Sequence, residues 1–229
     1  MQTPDARLLA AAAFVRQGAV FADIGTDHAY LPIYLVKTGR VARAVAADIG
    51  EGPIALARAN IAAEGLSDRI EAVMTDGLCG LSEKGITDIT ICGMGGELIS
   101  RILQDAPFVK DQGIRLILQP MSRAATLRRY LAENGFAIVA ERPCRAAGRV
   151  YSCLCAEYDG VFRTLSPAEA EVGCPALENE AERDAFLELL TRKIRAVREK
   201  IDGLRAAALP TEEDETLLNG LLEIQEKYR

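Results

Sequence analysis

Residues Val20 to Leu35 read VFADIGTDHAYLPIYL, and the way this stretch breaks at its glycine decides the fold. An apolar strand over 19–24 runs into Gly25, and an apolar helix resumes over 30–38. A dinucleotide-binding loop opens in the same way. Here, however, Asp27 and His28 stand where that loop would carry its second glycine and its neighbour. The question is what an acidic, glycine-poor turn of this kind holds.

Working outward, strands and helices alternate. A helix is expected over 4–17, a strand over 43–48 (RAVAAD), and an alanine-rich helix over 52–64. RIEAVMTDG, DITICGMGG followed by a helix, and IRLILQP followed by a helix over 123–134 continue the series. FAIVAE and VYSCLCAEY then follow one another with no helix between them, so one of the two is expected to run antiparallel at the sheet edge. The pattern predicts an α/β fold with a seven-stranded, mostly parallel sheet covered on both faces.

After Tyr158 the pattern changes. TLSPAEAEVGCPAL reads as a boundary. Beyond it Phe186, Leu190, Ile194, Val197, Ile201 and Leu204 recur at helical seam spacing, as do Leu217, Leu221, Ile224 and Tyr228 after a helix start at Thr211. Two antiparallel helices packed seam to seam are expected. The chain therefore divides into residues 1–160, a sheet domain, and residues 161–229, a helical hairpin.

Composition narrows the class. At 229 residues with 49% hydrophobic content, one sizeable core and a small appendage fit. The six cysteines contain no CxxC pair, and Cys153 and Cys155 alternate as on one face of a strand, so reduced thiols and a cytoplasmic setting are expected. No metal site and no membrane span are expected, and a monomer is the default. Net charge is −6, yet it is unevenly spread: residues 161–229 carry 10 basic and 15 acidic side chains, leaving the first 160 almost neutral. Arg192, Lys193, Arg195, Arg198, Lys200 and Arg205 are interrupted only by Glu199 and Asp202, so positive surface is a patch and not a property of the whole.

In an open α/β sheet ligands bind beyond the carboxyl ends of the strands. Asp23 to His28 end the first strand, Asp48 the second, Asp76 and Gly77 the third, and Gly93, Met94, Gly95 and Gly96 the fourth. Asp48 follows Gly25 by 23 residues, the place from which a carboxylate accepts hydrogen bonds from both hydroxyls of a ribose. Any one of these residues alone reads as a loop or cap residue. Together they describe a nucleoside lying across the strand ends. A pyrophosphate needs glycines and is repelled by carboxylates, whereas S-adenosylmethionine has no phosphate and carries a cationic sulfonium and ammonium. Asp23 and Asp27 suit the latter.

ADIGTDHAYLP, ICGMGGELI and LILQP, in that order and followed by a helical hairpin, resemble the bacterial tRNA (adenine(22)-N1)-methyltransferase family, over essentially the whole chain. The resemblance implies a class I, Rossmann-like methyltransferase fold, S-adenosylmethionine as donor, and a coiled-coil-like C-terminal unit that assists tRNA recognition. It matches Asp23, Gly25, Asp27 and His28 to the first motif, Asp48 to the ribose acid, Asp76 and Gly77 to the adenine-side turn, and Gly93, Met94 and Gly95 to the fourth-strand turn. Two departures stand out. Met121 follows Gln119 and Pro120 where the family pattern continues with asparagine, and Asp48 stands where glutamate is common.

Adenine N1 has an in-plane lone pair, so methyl transfer needs placement and stabilisation of a developing positive charge more than a strong base. Asp27 is the candidate for that electrostatic role, with Gln119 on the base edge. Tyr30 offers a stacking face, Pro120 borders the base, and His28, the single histidine, forms pocket wall or base contact. RNA phosphates have three candidate sources of positive charge: Arg7, the group Arg123, Arg128 and Arg129, and the hairpin run that includes Arg195 and Arg198. Two alternatives stay open: a methyltransferase for another RNA or a small molecule, and a non-catalytic S-adenosylmethionine-binding protein whose hairpin recruits a partner through unsatisfied apolar seams.

Overall fold

The computed structural model of the protein describes residues 4–229. Strands β1 (Val20–Ile24), β2 (Arg43–Asp48), β3 (Ile70–Met74), β4 (Asp88–Gly95), β5 (Arg115–Ser122), β6 (Phe136–Ala146) and β7 (Arg149–Tyr158) form one sheet in the order β3-β2-β1-β4-β5-β7-β6. The first five pair in parallel, and β7 runs antiparallel to both its neighbours. The sequence pattern puts an antiparallel strand at the edge, but β7 lies between β5 and β6, and it is β6 that closes the sheet. The cause is local. Ala147 and Gly148 both have positive φ, 48° and 70°, and make a two-residue turn that folds β7 directly back on β6. As an edge strand, β6 tolerates Pro143, which has no N–H to give.

One face of the sheet is covered by α1 (Ala6–Phe14), α2 (Tyr30–Lys37) and α3 (Glu51–Ala63), which bury residues such as Ala11, Leu31 and Ile61 against Phe21 and Ala46. Cys153 and Cys155 share this core, as their alternation predicts. On the other face α4 (Gly96–Gln104) and α5 (Ala124–Glu133) bury Ile99, Leu103, Leu127 and Leu131 against Ile89, Ile91 and Leu116. The first helix is shorter than its apolar pattern suggests, because Arg16 turns away to clamp buried Asp88, its backbone and side-chain nitrogens both bonding the carboxylate at 2.8 Å.

The C-terminal region holds α6 (Pro167–Val172), α7 (Glu180–Ala206) and α8 (Glu212–Tyr228) around a third core centred on Phe186, Leu190 and Leu221. Arg183 near the start of α7 donates to the Tyr228 carbonyl at the end of α8 (2.8 Å), so the two long helices run antiparallel. Seven of the ten seam residues are buried and Leu204, Leu217 and Tyr228 are half-buried, which leaves little of the unsatisfied apolar surface that a partner-recruiting hairpin would need. The stretch read as a boundary contains α6, set by a capping box between Ser166 and Glu169.

This unit is fastened to the sheet. Arg128 of α5 is 1% exposed; it donates to the Ala170 (2.9 Å) and Glu171 (3.2 Å) carbonyls of α6 and to Ser152 Oγ (3.0 Å), and it ion-pairs with buried Glu141. Arg145 pairs with Glu188 of α7 at 2.7 Å, and Arg192 reaches the Gly148 carbonyl at 3.4 Å. No helix among the described residues is long and apolar enough to cross a membrane.

Candidate cofactor and substrate cleft

The order of strands reverses between β1 and β4, and a cleft of about 680 Å3 opens beyond their carboxyl ends. The turn after β1 forms its floor. Gly25 sits at φ 76°, a left-handed conformation that favours glycine, and the Met94 methyl packs into the space a Cβ would take, 2.1 Å from that position. The Gly25 and Thr26 amides both donate to the Ala47 carbonyl of β2, at 2.8 and 2.9 Å. In a phosphate-binding loop, amides face the ligand; these two are already bonded within the protein.

Asp23, 7% exposed, ends β1 in the cleft wall and accepts a 2.7 Å bond from Thr90 Oγ1. Burial raises its pKa to about 6 against the hydrogen bond from Thr90, with the nearby charge of Asp48 adding to the rise. The Thr26 hydroxyl stands close enough to ease ionisation of Asp23, yet it makes no hydrogen bond of ordinary geometry. It is the one buried side-chain oxygen or nitrogen among the described residues without a partner. Asp48 uses one oxygen to accept from the Gly50 amide (2.7 Å), which turns its carboxylate into the cleft.

The mouth is aromatic and charged. Ala29 adopts φ 56°, a left-handed conformation uncommon for alanine, in the turn into α2 between His28 and Tyr30. Their rings stack at 4.9 Å and 14°. Asn60 of α3 holds the His28 carbonyl at 3.0 Å, and Asp27, 72% exposed, pairs with His28 Nε2 at 3.1 Å. On the opposite wall the β4–β5 pairing breaks register around Met94, at the bend that carries Gly93 into the cleft. Cys92 lines the same wall; burial and then the charge of Asp23 push its thiol well above its ordinary pKa, so it serves as an uncharged surface.

The expected residues divide into two sets. Asp23, Gly25, Asp27, His28, Tyr30, Asp48, Gly93, Met94, Gln119 and Arg7 meet in the cleft. Gln119 is fully buried and its amide is engaged with the Gly93 amide (3.2 Å) and the Pro120 carbonyl (3.1 Å), so its direct effect is to hold the two strand-end turns together. Met121 receives a 2.9 Å contact from Arg7 Nη1 and stands at the cleft rim. Asp76 and Gly77 end β3, two strands from β1, outside this wall; Gly95 caps α4. Pro120 and Arg123 face a neighbouring groove, and Arg195 and Arg198 lie on the exposed surface of α7 away from the cleft. Sequence reasoning missed Thr26, although it lies within the decisive motif, and it missed Ile49, an apolar residue 66% exposed directly after Asp48.

The chain has known relatives. Residues 5–154 match the methyltransferase domain family. Over 96% of this chain and 93% of the relative, it is 34% identical to the tRNA (adenine(22)-N(1))-methyltransferase of Bacillus subtilis strain 168. Among solved structures, the B. subtilis m1A22 tRNA methyltransferase TrmK superposes with a TM-score of 0.82 at 30% identity, covering 98% of this chain and all of that one. Streptococcus pneumoniae Sp1610 in complex with S-adenosyl-L-methionine gives a TM-score of 0.80 at 31% identity, covering 96% and 98% of the two chains.

Proposed function

Since the chain belongs to the tRNA (adenine(22)-N(1))-methyltransferase family, we propose that its cleft places N1 of adenine 22 of tRNA against the methyl group of S-adenosylmethionine. The protein is an S-adenosylmethionine-dependent methyltransferase. The observation that carries the cofactor assignment is the state of the first turn. Its opening amides are bonded internally, and the polar groups left facing the cleft are the carboxylates of Asp23 and Asp48. That set suits a cationic nucleoside without phosphates.

When bound, S-adenosylmethionine supplies an electrophilic methyl group on a cationic sulfur. Asp23 faces the positive amino-acid end, with the buried Thr26 hydroxyl behind it. Asp48 has one carboxylate oxygen uncommitted and takes the ribose hydroxyls, with exposed Ile49 beside it as apolar surface for the purine. Gly93 and Met94 shape the wall behind the reacting group, and buried Gln119 holds that wall in place through the Gly93 amide.

The substrate adenine attacks with its own lone pair, so no residue has to remove a proton from N1 first. The methylated ring is cationic. Asp27, oriented by His28, supplies negative charge at the mouth where that cation forms, and the His28–Tyr30 stack offers the displaced base a flat face. Residues 1–160 thus perform the chemistry, and residues 161–229 help to present the tRNA.

Purified protein, S-adenosylmethionine and an unmodified tRNA transcript with adenine at position 22 test this directly. Nucleoside mass spectrometry is expected to find 1-methyladenosine, and an A22→G transcript is expected to yield none. Equal methylation of both transcripts, or methylation of neither, overturns the assignment.

A further inference from the structure

A second concavity, about 480 Å3, adjoins the cleft. Its walls come from both units: the β5–α5 connection and α5 on one side, the β6–β7 turn at its base, and α7 on the other. Six cationic side chains line it, against one acid, Glu171. Three of the six are neutralised within the protein. Arg128 is buried on Glu141, Lys193 pairs with Glu171 at 2.6 Å, and Arg192 pairs with Glu188 at 2.6 Å. Arg129 and Arg149 are exposed and carry no ion pair among the described residues, and Arg123 approaches Glu97 only at 3.8 Å, with both side chains largely in water. In a chain of net charge −6, two unpaired arginines and a third that is only loosely paired, around one concavity, are a local excess that the protein does not balance.

The distal hairpin is the opposite case. Lys200 pairs with Asp214 at 2.8 Å, Arg205 with Glu215 at 2.9 Å, and Arg195 lies 3.8 Å from Glu199. The acidic first turn of α8 faces the end of the basic run, and only Arg198 is left without an ion pair among the described residues. Arg195 is paired as loosely as Arg123, so the distal hairpin offers a polyanion one unpaired arginine where the groove offers two.

The groove is also continuous with the cleft. Arg7 lines the cleft, and its guanidinium touches Met121 Sδ at 2.9 Å and lies 5.8 Å from the ring centre of Tyr151; both of these residues line the groove. Arg7 thus stands at the junction of the cleft and the groove. Its walls are held at a set separation by the Arg128–Glu141 pair and the Arg145–Glu188 pair.

We propose that this inter-unit groove, through Arg123, Arg129 and Arg149, grips the phosphate backbone of the RNA next to the target base, and that the distal half of the hairpin makes no essential RNA contact. This rests on the tRNA reading above and adds the place where tRNA is held. The hairpin then contributes through the proximal part of α7, as a wall of the groove.

The test compares two charge-reversal pairs in the full chain, R129E/R149E in the groove and R195E/R198E on the distal helix, with R129Q/R149Q as a gentler groove variant. All four residues are exposed, so folding is expected to survive. Filter binding to a tRNA transcript across a salt series, with calorimetry of S-adenosylmethionine alongside, provides the readouts. Both groove pairs are expected to lose tRNA affinity, the reversal by tenfold or more. Their log K against log salt slope should become shallower by about 0.9 for each duplex phosphate that is no longer neutralised. Cofactor affinity should hold, and the distal pair should bind tRNA as the parent does. Parent-like tRNA binding by the groove variants, or a larger loss in the distal pair, overturns the proposal while leaving the methyltransferase assignment intact. Failure of the parent itself to bind tRNA at low salt overturns both.

Discussion

Charged residues are used in opposite ways in the cleft and on the distal hairpin. At the strand ends, Asp23 is buried without a cation and Asp48 has one oxygen uncommitted. On the hairpin, Lys200 and Arg205 are exposed and already paired across the helices. Carboxylates held without a cation are charges waiting for a ligand; pairs made in water are surface. Between the two regions lies a third arrangement, the buried Arg128–Glu141 pair, which fastens α6 to the sheet and is shielded from solvent.

The largest effect that would sharpen this comparison is expected at that junction. Arg128→Ala leaves Glu141 buried without its cation and removes the bonds to Ala170, Glu171 and Ser152. A loss of about 3–5 kcal/mol in unfolding free energy is expected, measured by urea denaturation. A loss below about 1 kcal/mol would show that the two units do not depend on this pair.

Asp23 follows. Its folded pKa, about 6, lies above the ordinary 3.8, so the native state holds its proton over a range where the unfolded chain has released it. The resulting destabilisation is absent below about pH 4, grows as pH rises, and is complete above about pH 6, where it is on the order of 3 kcal/mol. Asp23→Asn is therefore expected to stabilise the ligand-free protein at pH 7.5 but not at pH 4, while weakening S-adenosylmethionine binding. For the parent, cofactor affinity should fall as pH drops below 6. A variant that loses both stability and affinity at pH 7.5 would contradict the reading of Asp23 as a cation-seeking carboxylate.

At the mouth, Asp27→Asn preserves shape and removes charge. A fall in single-turnover methyl transfer of at least tenfold, about 1.4 kcal/mol, is expected at saturating cofactor and tRNA. An unchanged rate would leave the mouth with only a positioning role. The smallest effect belongs to the distal hairpin, where Lys200→Ala should change thermal stability by no more than about 1 kcal/mol and leave methylation unaffected. A tenfold loss of methylation in that variant would end the contrast between the two regions.

How much of this could be read from the chain depended on sequence distance. The turn from Asp23 to Tyr30 is contiguous, and Asp48 ends the next strand, so their convergence follows from an alternating α/β pattern. The hairpin seams were legible for the same reason, since one helix carries its own period. The groove was not, because Arg129, Arg149 and Lys193 come from three elements joined only by tertiary packing. The basic run from Arg192 to Arg205 looked continuous, but helical geometry sends Arg192 and Lys193 to the groove and leaves Arg195 and Arg198 facing water. Thr26 is not legible in the chain, because the lack of a partner is a property of its surroundings and not of the residue. The SPAE capping box of α6 was present in the sequence, masked by the proline and glycine around it.

The central claim, that carboxylates at the strand ends hold a cationic nucleoside, is tested most directly at Asp48. Calorimetric titration of S-adenosylmethionine into the parent and into Asp48→Ala, with folding checked by circular dichroism, should show an affinity loss of about 2 kcal/mol, roughly thirtyfold, in a folded variant. Unchanged affinity in a folded Asp48→Ala protein would contradict it.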